Sequence, residues 1–489
     1  MQSIPVIVLA GGQSRRFKSG VHKLLFPLLE RPTLAWVLYR CQQAALTPIV
    51  VIVPDLDGPI ARLVRSTITD ERVRLVAQTE PLGTGDAVAR ARAVLDTTYD
   101  GPVVIVNGDA PAVRPETYQR LLEHHIRTGA HLTLTTGVVP TPGAYGRILR
   151  TQSGRIRAIR EASECTPEEQ TVREINLGIY VVHWYILQTY LDRLPLHPDT
   201  GEKYLTDVVQ MMLEDRHPVE SVTLDHPEEA FGINTWEEMH TTQTVLRRQI
   251  VADWMQQGVH FLDPERVWIG ADVRLGQDVT VYPNVTLQGN TQIGDRTALY
   301  PGVRIRNSVI GADCIVWDHT VIEDSTVGNA CQLGPFARLR PGCTLADGVR
   351  IGNFVELKKT SIGTGTKAMH LTYLGDAVIG KDVNIGAGTI TCNYDGIQKY
   401  TTVIGDRVFI GSDSQLIAPV RIESDAYVAA GSTITRDVPS GSLAIARARQ
   451  ENKPGWVKRF RRRRSRTRHT SSAPDETEAE GGAPSCGES

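Results

Sequence analysis

The sequence has no run of eighteen or more uncharged apolar residues, and no basic cluster precedes the apolar stretch at its start. Neither a membrane span nor a secretory signal is therefore predicted, and we expect a cytoplasmic protein. Cysteine is scarce, with seven residues and no CxxC spacing, so a disulfide framework or a zinc site is not expected. The net charge of -2 gives no reason to expect nucleic acid as a partner.

At 489 residues the chain exceeds the usual size of one hydrophobic core, so two or three domains are expected. Between residue 4 and about residue 225, apolar runs at 6–9, 49–53 and 103–106 alternate with helix-like stretches such as 33–45. This alternation predicts a doubly wound, Rossmann-like α/β domain with a mainly parallel sheet. Ligands of such sheets bind at the carboxyl ends of the strands.

A different texture begins near residue 263, where an aliphatic residue followed by glycine recurs at short spacing. The pairs are Leu275-Gly276, Ile293-Gly294, Ile310-Gly311, Val327-Gly328, Ile351-Gly352, Ile362-Gly363, Ile379-Gly380, Ile385-Gly386, Ile404-Gly405 and Ile410-Gly411. Gly276 and Gly294 are 18 residues apart, and Gly405 and Gly411 are 6 apart. Six-residue units of this kind predict a parallel β-helix, with a glycine-rich sandwich as the less favoured alternative. The longer gaps at 328–352 and 386–405 are expected to hold loops that leave the coil.

Four segments follow from these patterns. We expect the α/β domain at 1–234, a connecting helix at 235–258, the β-helix at 259–452 and a disordered charged tail at 453–489. The tail carries a block of arginines at 461–464 followed by acidic residues, which we expect to be solvated.

Small residues directly follow the first predicted strand, in the order Leu9-Ala10-Gly11-Gly12, with Arg16 and Lys23 shortly after. Such a loop lets backbone N–H groups approach phosphate oxygens closely, and the two cations can neutralise a triphosphate. A plain tight turn also uses glycines, so this loop alone is weak support. No Walker lysine-serine pair follows, which excludes an ordinary P-loop.

Two further strand ends carry polar residues. A glycine-rich loop runs from Gln78 through Gly83 and Thr84 into a predicted helix, and Asp109 follows the strand at 103–106. A carboxylate at a strand end facing a phosphate loop suits Mg²⁺, which prefers oxygen ligands. Asp109 alone could be an ordinary turn residue, but three such features together predict a nucleotide site.

Within the repeat region, polar and basic side chains concentrate between residues 335 and 400. A purely structural coil gains nothing from such a cluster. If this cluster carries out chemistry that needs a base titrating near neutrality, His370 is the natural candidate.

From about residue 4 to 452 the chain resembles the family of bifunctional N-acetylglucosamine-1-phosphate uridylyltransferases and glucosamine-1-phosphate acetyltransferases. The resemblance implies a left-handed β-helix and assigns roles to individual positions. In the N-terminal half, UTP would contact Leu9, Gly11, Gly12, Lys23, Gln78, Gly83 and Thr84; Mg²⁺ would bind Asp109 and Asn234; the amino sugar would contact Gly146, Glu161, Asn176 and Asn234; and Arg16 and Lys23 would act in catalysis.

In the C-terminal half the resemblance makes His370 and Asn393 the catalytic pair. Glucosamine 1-phosphate would contact Arg340, Lys358, Tyr373, Asn384 and Lys399, and acetyl-CoA would contact Ala387, Asn393, Tyr394, Ser412, Ala430 and Arg447. The implied enzyme is a homotrimer that acetylates glucosamine 1-phosphate and then transfers UMP from UTP, with Mg²⁺, to make UDP-N-acetylglucosamine for peptidoglycan, lipopolysaccharide or another envelope glycan.

The chain departs from the residues usual in this family at a few positions. They are Gly11, Ser14, Arg15, Phe17 and His22 in the phosphate loop, and Ala162 and Ser163 after Glu161. One alternative is therefore a nucleotidyltransferase for another sugar or nucleotide, with the β-helix as an oligomerisation scaffold. A non-enzymatic regulatory subunit is a third hypothesis, which the presence of Arg16, Lys23, Asp109 and His370 disfavours.

Overall fold

The structure, a computed structural model, describes residues 3–12, 14, 17, 19–68 and 70–469, the last five without side chains. An α/β unit comes first and ends with one long helix. Its elements are β1 (Val6–Leu9), β2 (Pro27–Leu28), β3 (Arg31–Pro32), α1 (Thr33–Gln43), β4 (Ile49–Val53), α2 (Pro59–Thr67), β5 (Val73–Ala77), α3 (Thr84–Arg90), β6 (Pro102–Asn107), α4 (Pro115–Thr128), β7 (Leu132–Val138), β8 (Arg147–Arg150), β9 (Ile156–Arg160), α5 (Pro167–Gln170), β10 (Glu174–His183), α6 (Trp184–Leu191), α7 (Thr206–Glu214), β11 (Val219–Thr223) and α8 (Trp236–Gln256).

The main sheet has the strand order β11-β7-β10-β6-β1-β4-β5, and β8 and β9 extend it from β10. Strands β1, β4, β5 and β6 pair in parallel, whereas β10 runs antiparallel to β6 and β7. The prediction of a doubly wound, mainly parallel sheet is confirmed, with β10 as the strand that makes it mixed. Helices cover both faces, as expected for strands that are apolar on both sides.

Successive side chains of the central strands point to opposite faces of the sheet, and this explains why helices pack on both faces. Val6 and Val8 of β1 pack with α1, α2 and α4 on one face, and Ile7 packs with α3, α6 and α7 on the other. In β1, Leu9 is paired with Asn107 at the end of β6 and with Ile52 near the end of β4. This register brings the loops that follow β1 and β6 to the same edge of the sheet, where ligands bind in such folds.

A capping box starts α8: the Thr235 hydroxyl accepts from the Glu238 backbone N–H, and the Glu238 carboxylate accepts from the Thr235 N–H. The helix buries Met239 and Leu246 beside the N-terminal unit, while Trp254 packs against the core of the next unit. It therefore joins two hydrophobic cores.

The second unit is a stack of short parallel strands, followed by a terminal helix. The strands are β12 (His260–Phe261), β13 (Trp268–Ile269), β14 (Arg274–Leu275), β15 (Thr280–Val281), β16 (Thr286–Gln288), β17 (Gln292–Ile293), β18 (Ala298–Leu299), β19 (Arg304–Arg306), β20 (Val309–Ile310), β21 (Ile315–Val316), β22 (Val321–Glu323), β23 (Thr326–Val327), β24 (Gln332–Leu333), β25 (Arg338–Leu339), β26 (Thr344–Leu345), β27 (Arg350–Lys358), β28 (Ser361–Ile362), β29 (Lys367–Gly375), β30 (Ala377–Ile379), β31 (Asn384–Ile385), β32 (Ile390–Cys392), β33 (Thr402–Ile404), β34 (Phe409–Ile410), β35 (Gln415–Ile417), β36 (Val420–Ile422), β37 (Tyr427–Val428), β38 (Thr433–Ile434) and β39 (Leu443–Ala444); the helix is α9 (Trp456–His469).

Each coil of this β-helix stacks in register on the next, so that Ile293 lies beside Ile310 and Ile310 beside Val327. These aliphatic side chains are buried and form one continuous core. A methyl group on Gly294 would lie 2.6 Å from the backbone nitrogen of Ala312 on the following coil. Glycine therefore recurs after the inward aliphatic residue because the coils approach too closely for a side chain there.

The prediction of loops is correct at one gap and wrong at the other. Ile379 pairs with Ile404, which leaves room for an excursion that contains the Tyr394–Lys399 bridge. Across 328–352 the coil instead continues, because Leu345 pairs with Val327 and Ala346 takes the place that glycine has elsewhere. Alanine is small enough for that position. A search for an aliphatic residue followed by glycine therefore overlooks the coil that contains Leu345-Ala346.

The expectation of a disordered tail from residue 453 is wrong for Trp456–His469, which forms α9. The rings of Trp456 and Phe460 stack 4.9 Å apart one helical turn from each other, and the Arg464 guanidinium lies 5.4 Å from the centre of the Phe460 ring. Such pairs, with the good helix propensity of arginine, favour a helix that composition alone did not indicate. Residues 470–489 of the predicted tail lie outside the described residues. Among those described, no helix is both long and apolar enough to cross a membrane.

A buried histidine makes the N-terminal unit sensitive to acid. His125 of α4 places Nδ1 2.9 Å from the Thr133 hydroxyl, and burial, with nearby His183 and His131, lowers the pKa of His125 from its usual 6.5 to about 4. Folding therefore keeps this imidazole neutral. The stability it contributes is complete above the unfolded-state pKa and is lost as the pH falls toward the folded-state value.

We expect the melting temperature of the protein to fall between about pH 7 and pH 5, and to fall less in His125→Gln, which keeps a polar group for Thr133 but does not titrate. Differential scanning fluorimetry across this range measures both slopes. Equal slopes in the two proteins would contradict the assignment to His125.

Candidate active sites

Three distant segments meet at Lys23 in the N-terminal unit. The Lys23 ammonium donates to a carboxylate oxygen of Asp109 at 2.5 Å and to the side-chain oxygen of Asn234 at 2.9 Å. Lys23 starts a short 3-10 helix after the glycine loop, Asp109 follows β6, and Asn234 precedes α8. The three side chains predicted for phosphate and metal binding are thus in contact.

The two oxygens also meet the requirements of a divalent cation. Asp109 and Asn234 both direct an oxygen to one point, which the Lys23 ammonium occupies. A carboxylate and an amide oxygen form the small protein donor set that Mg²⁺ uses when substrate phosphates supply further ligands. The side chains present therefore fit the metal that the sequence predicts.

Two residues that differ from those usual in the family, Ser14 and His22, form hydrogen bonds across the predicted phosphate loop. Lys23 donates its backbone N–H to the Ser14 hydroxyl at 3.1 Å, and His22 lies with Nε2 2.7 Å from the Gly12 carbonyl. The Nδ1 atom of His22 accepts from the Leu24 N–H, and burial lowers the pKa of His22, which favours the neutral ring that this acceptor role needs. Ser14 and His22 thus hold the loop in shape through their own hydrogen bonds.

Of the remaining loop residues named above, the structure describes Phe17 but not Arg15 or Arg16. Phe17 is buried, with its ring 4.4 Å from that of Trp236 and 5.8 Å from that of Phe26, so this departure serves packing. Arg16, predicted to be catalytic, lies outside the described residues, as does Arg15.

The residues predicted for the nucleobase lie together beside this loop. A methyl group on Gly11 would lie 2.6 Å from Gln78 Oε1, so the Gln78 amide lies directly against the glycine loop. Gln78 donates to the Gly83 carbonyl at 3.0 Å and to Asp86 at 2.9 Å. The Thr84 hydroxyl accepts from the Leu205 N–H at 3.0 Å, which ties the loop to the start of α7. Leu9 and Gly12 lie at the two ends of the same glycine turn.

The predicted sugar contacts form a neighbouring group. The Asn176 N–H donates to the Gly146 carbonyl at 2.9 Å, and a methyl group on Gly146 would lie 3.7 Å from Glu161 Oε1. Glu161 accepts from the Thr206 hydroxyl at 3.0 Å, and burial raises the pKa of its carboxyl group. The Asn176 side chain donates to the Tyr180 hydroxyl at 2.6 Å.

In the β-helix, Tyr373 and Asn393 converge over Gly375. A methyl group on Gly375 would lie 2.4 Å from the Tyr373 hydroxyl and 2.9 Å from Asn393 Nδ2. Asn393 is largely buried, and its Nδ2 donates to an Asp376 carboxylate oxygen at 2.5 Å. This contact fixes the amide so that its oxygen faces away from Asp376. Sequence reasoning did not single out Asp376.

Cations gather beside this amide on neighbouring coils. Proximity to Lys399, more than burial, lowers the pKa of Lys358, and Arg340 adds to the repulsion. Arg340 pairs with Glu356 at 3.0 Å, a carboxylate that sequence reasoning also missed. Cations held this close together suit the doubly charged phosphate of a small sugar.

His370 lies exposed on β29, where it pairs with Asn353 of the preceding coil. Above it, successive coils present the residues predicted for acetyl-CoA along one edge. Leu371 accepts from the Gly388 N–H, the Ala387 carbonyl accepts from the Asp413 N–H at 2.7 Å, and Arg447 donates to the Ala430 carbonyl at 2.6 Å.

Ser412, exposed like Ala430, continues this edge, and its carbonyl accepts from the Gly431 N–H. Asn384 lies on β31, paired with Lys367 of the His370 strand. Tyr394 is exposed at the start of the excursion between β32 and β33, and its hydroxyl donates to the Gly396 carbonyl. Asn384 therefore lies in the row of Lys367 and Phe409, whereas Tyr373 lies in the row of Glu356 and Ile390, further along the coil.

An α/β unit with a phosphate loop, followed by a β-helix with an amine-handling cluster, defines a two-domain transferase. Family models agree: residues 6–174 match a MobA-like NTP transferase domain, 265–362 a GMPPB C-terminal domain and 401–436 the bacterial transferase hexapeptide repeat.

Full-length relatives identify the family. A bifunctional GlmU protein of Pelobacter propionicus is 43% identical over 464 residues, covering 95% of this chain and all of that protein. The GlmU protein of Carboxydothermus hydrogenoformans is 43% identical over 453 residues, with 92% and 99% covered, and that of Shouchella clausii is 39% identical over 453 residues, with 93% and 98% covered. The chain belongs to the bifunctional GlmU family. The prediction of a bifunctional uridylyltransferase and acetyltransferase of UDP-N-acetylglucosamine synthesis is thereby confirmed.

The contact between Asp376 and Asn393 leads to a prediction for acetyl transfer. Asp376→Asn removes the charge that selects one orientation of the Asn393 amide, so that its oxygen and nitrogen can exchange places. We expect acetyl transfer to glucosamine 1-phosphate to fall about tenfold or more, since misoriented groups lose one to several orders of magnitude.

A thiol-release assay with acetyl-CoA measures this loss, and uridylyl transfer by the same variant is the internal control. Undiminished acetyl transfer in Asp376→Asn would show that the carboxylate does not orient Asn393.

Proposed function

We propose that the two halves act in series and that the residues described above perform the two steps. The C-terminal site acetylates the amine of glucosamine 1-phosphate, and the N-terminal site joins the product to the UMP part of UTP. The observation that carries the proposal is the convergence of each predicted residue set at a separate, chemically suited place: Lys23 with Asp109 and Asn234, and Tyr373 with Asn393.

For uridylyl transfer, a phosphate oxygen of N-acetylglucosamine 1-phosphate attacks the α-phosphorus of UTP, and the bond to pyrophosphate breaks. Positioning and charge neutralisation carry such reactions, so no side-chain nucleophile is required. Backbone N–H groups of the closed glycine loop face the phosphates, and the Lys23 ammonium lies at the same edge of the sheet to neutralise them. Gln78 and Thr84 hold the uracil in the adjoining loop.

Asp109 and Asn234 would hold Mg²⁺, which neutralises phosphate charge when bound. The two oxygens already share one cation, the Lys23 ammonium, and this supports the assignment. Glu161, Asn176 and Gly146 would contact the amino sugar, since the Asn176 N–H donates to the Gly146 carbonyl and Glu161 lies beside Gly146.

For acetyl transfer, His370 takes a proton from the ammonium group of glucosamine 1-phosphate. The amine then attacks the thioester carbonyl and a tetrahedral intermediate forms. As the carbonyl is restored, the carbon–sulfur bond breaks and the nitrogen's second proton goes to the departing sulfur, so that coenzyme A leaves as the thiol. Asn393, oriented by Asp376, faces the reacting amine or the oxyanion. Arg340, Lys358 and Lys399 hold the sugar phosphate.

Tyr373 and Asn384 would contact the sugar hydroxyls. Acetyl-CoA would lie along the edge formed by Ala387, Ser412 and Ala430, with Tyr394 and Arg447 at its ends. This edge is supported by the coil-to-coil contacts that align these residues.

We infer a homotrimer with the acetyl-transfer sites between neighbouring β-helices. In the single chain, His370 is exposed, and large apolar side chains beside it are exposed too: Leu371 at 65% and Phe354 at 57%. Such apolar surface on a soluble β-helix favours burial against another copy.

We also propose a uridylyltransferase domain at 1–234, a linker helix at 235–258, an acetyltransferase domain at 259–452, a charged extension at 453–489 and a cytoplasmic place of action. The bounds of α8 and the six free cysteines among the described residues support this reading.

One reaction tests the whole proposal. With glucosamine 1-phosphate, acetyl-CoA, UTP and Mg²⁺, the wild-type protein should form UDP-N-acetylglucosamine, measured by mass spectrometry. His370→Ala should abolish product from glucosamine 1-phosphate but not from N-acetylglucosamine 1-phosphate, because only the first step needs the base. Asp109→Ala should stop at N-acetylglucosamine 1-phosphate.

The matched control is Asp199→Ala, which removes an exposed carboxylate from a loop of the N-terminal unit and should leave both steps unchanged. Product formation by Asp109→Ala at the wild-type rate, or unchanged consumption of acetyl-CoA by His370→Ala, would refute the residue assignment.

A further inference from the structure

The turn between β2 and β3 has a backbone conformation that its residues rarely adopt. Leu29 and Glu30 form the turn with φ angles of 48° and 71°, both in the left-handed region. Two-residue hairpins of this kind favour asparagine and glycine, since a larger side chain raises the energy of that conformation. Strained positions persist where a compensating interaction holds them, and they concentrate at functional sites.

The compensating interaction lies in the β-helix. The Glu30 carboxylate accepts from the backbone N–H of Gly289 at 2.7 Å, across 259 residues of sequence. Gly270 leaves room for this carboxylate, because a methyl group there would lie 2.4 Å from Glu30 Oε2. The carboxylate, although exposed to solvent on one side, therefore contacts the backbone of the first coils directly.

Two further contacts flank this one. The Leu29 carbonyl accepts from the Ala271 N–H at 3.1 Å, and Arg31 pairs with Asp272 at 2.7 Å. The hairpin turn is thus held to the β-helix by three successive residues, with Glu30 in the middle.

The hairpin continues directly into the uridylyl-transfer site. Phe26 follows the 3-10 helix that Lys23 starts, and its ring packs 4.7 Å from that of Trp236 at the start of α8. Asn234, the partner of the Lys23 ammonium, lies two residues before Trp236. Ala271 and Trp268 of the first coil pack against the same hydrophobic cluster as Phe26. The segment that carries Lys23 therefore borders the β-helix through Phe26 and the hairpin.

We propose that Glu30 is a positioning residue for uridylyl transfer, which seats the β2–β3 hairpin in the first coils of the β-helix and so holds Lys23 in place. The acetyltransferase scaffold then forms part of the uridylyltransferase site. This inference rests on the uridylyl transfer proposed above.

Glu30→Gly tests the role without adding strain. Glycine adopts a φ of 71° freely, so the turn itself keeps or gains stability, while the carboxylate is lost. We expect kcat for uridylyl transfer to fall about tenfold with acetyl transfer unchanged, because a displaced catalytic group costs rate at the reacting phosphate. Glu30→Gln keeps an oxygen that accepts from Gly289 and should restore kcat to within about twofold.

Arg216→Gly is the matched control. Arg216 is exposed after α7 with a φ of 60°, so the substitution removes a strained side chain from the same unit at a place far from the β-helix contact. Its kcat should equal that of the wild type. Melting temperatures and the KM for UTP are measured on the full chain for all four proteins.

A fall in kcat for Glu30→Gly, with acetyl transfer intact and recovery in Glu30→Gln, supports the proposal. An unchanged kcat in Glu30→Gly, a loss that Glu30→Gln does not recover, or a parallel loss of acetyl transfer overturns it. Absence of uridylyl transfer in the wild type would instead refute the proposed function, so the two failures are distinguishable.

Discussion

The contact of one ammonium group with two side-chain oxygens organises the N-terminal half. Lys23 joins Asp109 and Asn234 across 86 and 211 residues of sequence, so the glycine loop, the end of β6 and the start of α8 must meet. A parallel sheet makes this possible because its strand ends share one edge. Separating a buried ammonium group from either oxygen costs free energy, because the remaining charge is left unpaired. Lys23 therefore keeps the three segments together.

The β-helix solves a different problem by repetition. Its coils are fixed by inward aliphatic residues and by glycines where the next coil comes too close, so residues about one coil apart in sequence lie above one another. Side chains of neighbouring coils are brought together in this way: Tyr373 and Asn393 meet over Gly375 because each occupies a fixed place on its coil. The geometry of the proposed acetyl-transfer site follows from the register of the stack.

Sequence reasoning found the parts that follow from periodicity. The alternating apolar runs located the strands of the α/β unit, and the aliphatic-glycine pairs located the coils of the β-helix. Inspection of the segments after strand ends identified Lys23 and Asp109 as candidate site residues. It missed contacts that depend on distant backbone. Asp376 and Ser14 act through hydrogen bonds to Asn393 and Lys23. The coil across 328–352 and the helix α9 were missed for local reasons, since alanine replaced glycine in one and aromatic stacking supports the other.

The two sites differ in how much of them a single chain encloses. Lys23 and Gln78 are buried within one N-terminal unit, and the contacts among the predicted uridylyl-site residues that are described lie inside that chain. His370, Asn384 and the edge from Ala387 to Arg447 lie open on the β-helix, beside exposed Leu371 and Phe354. Acetyl transfer needs exclusion of water around the thioester, which an open edge does not provide by itself. On the proposals made above, the same β-helix supports the first half inside the chain, and in the second half it offers a surface that a neighbouring copy in the proposed homotrimer would complete.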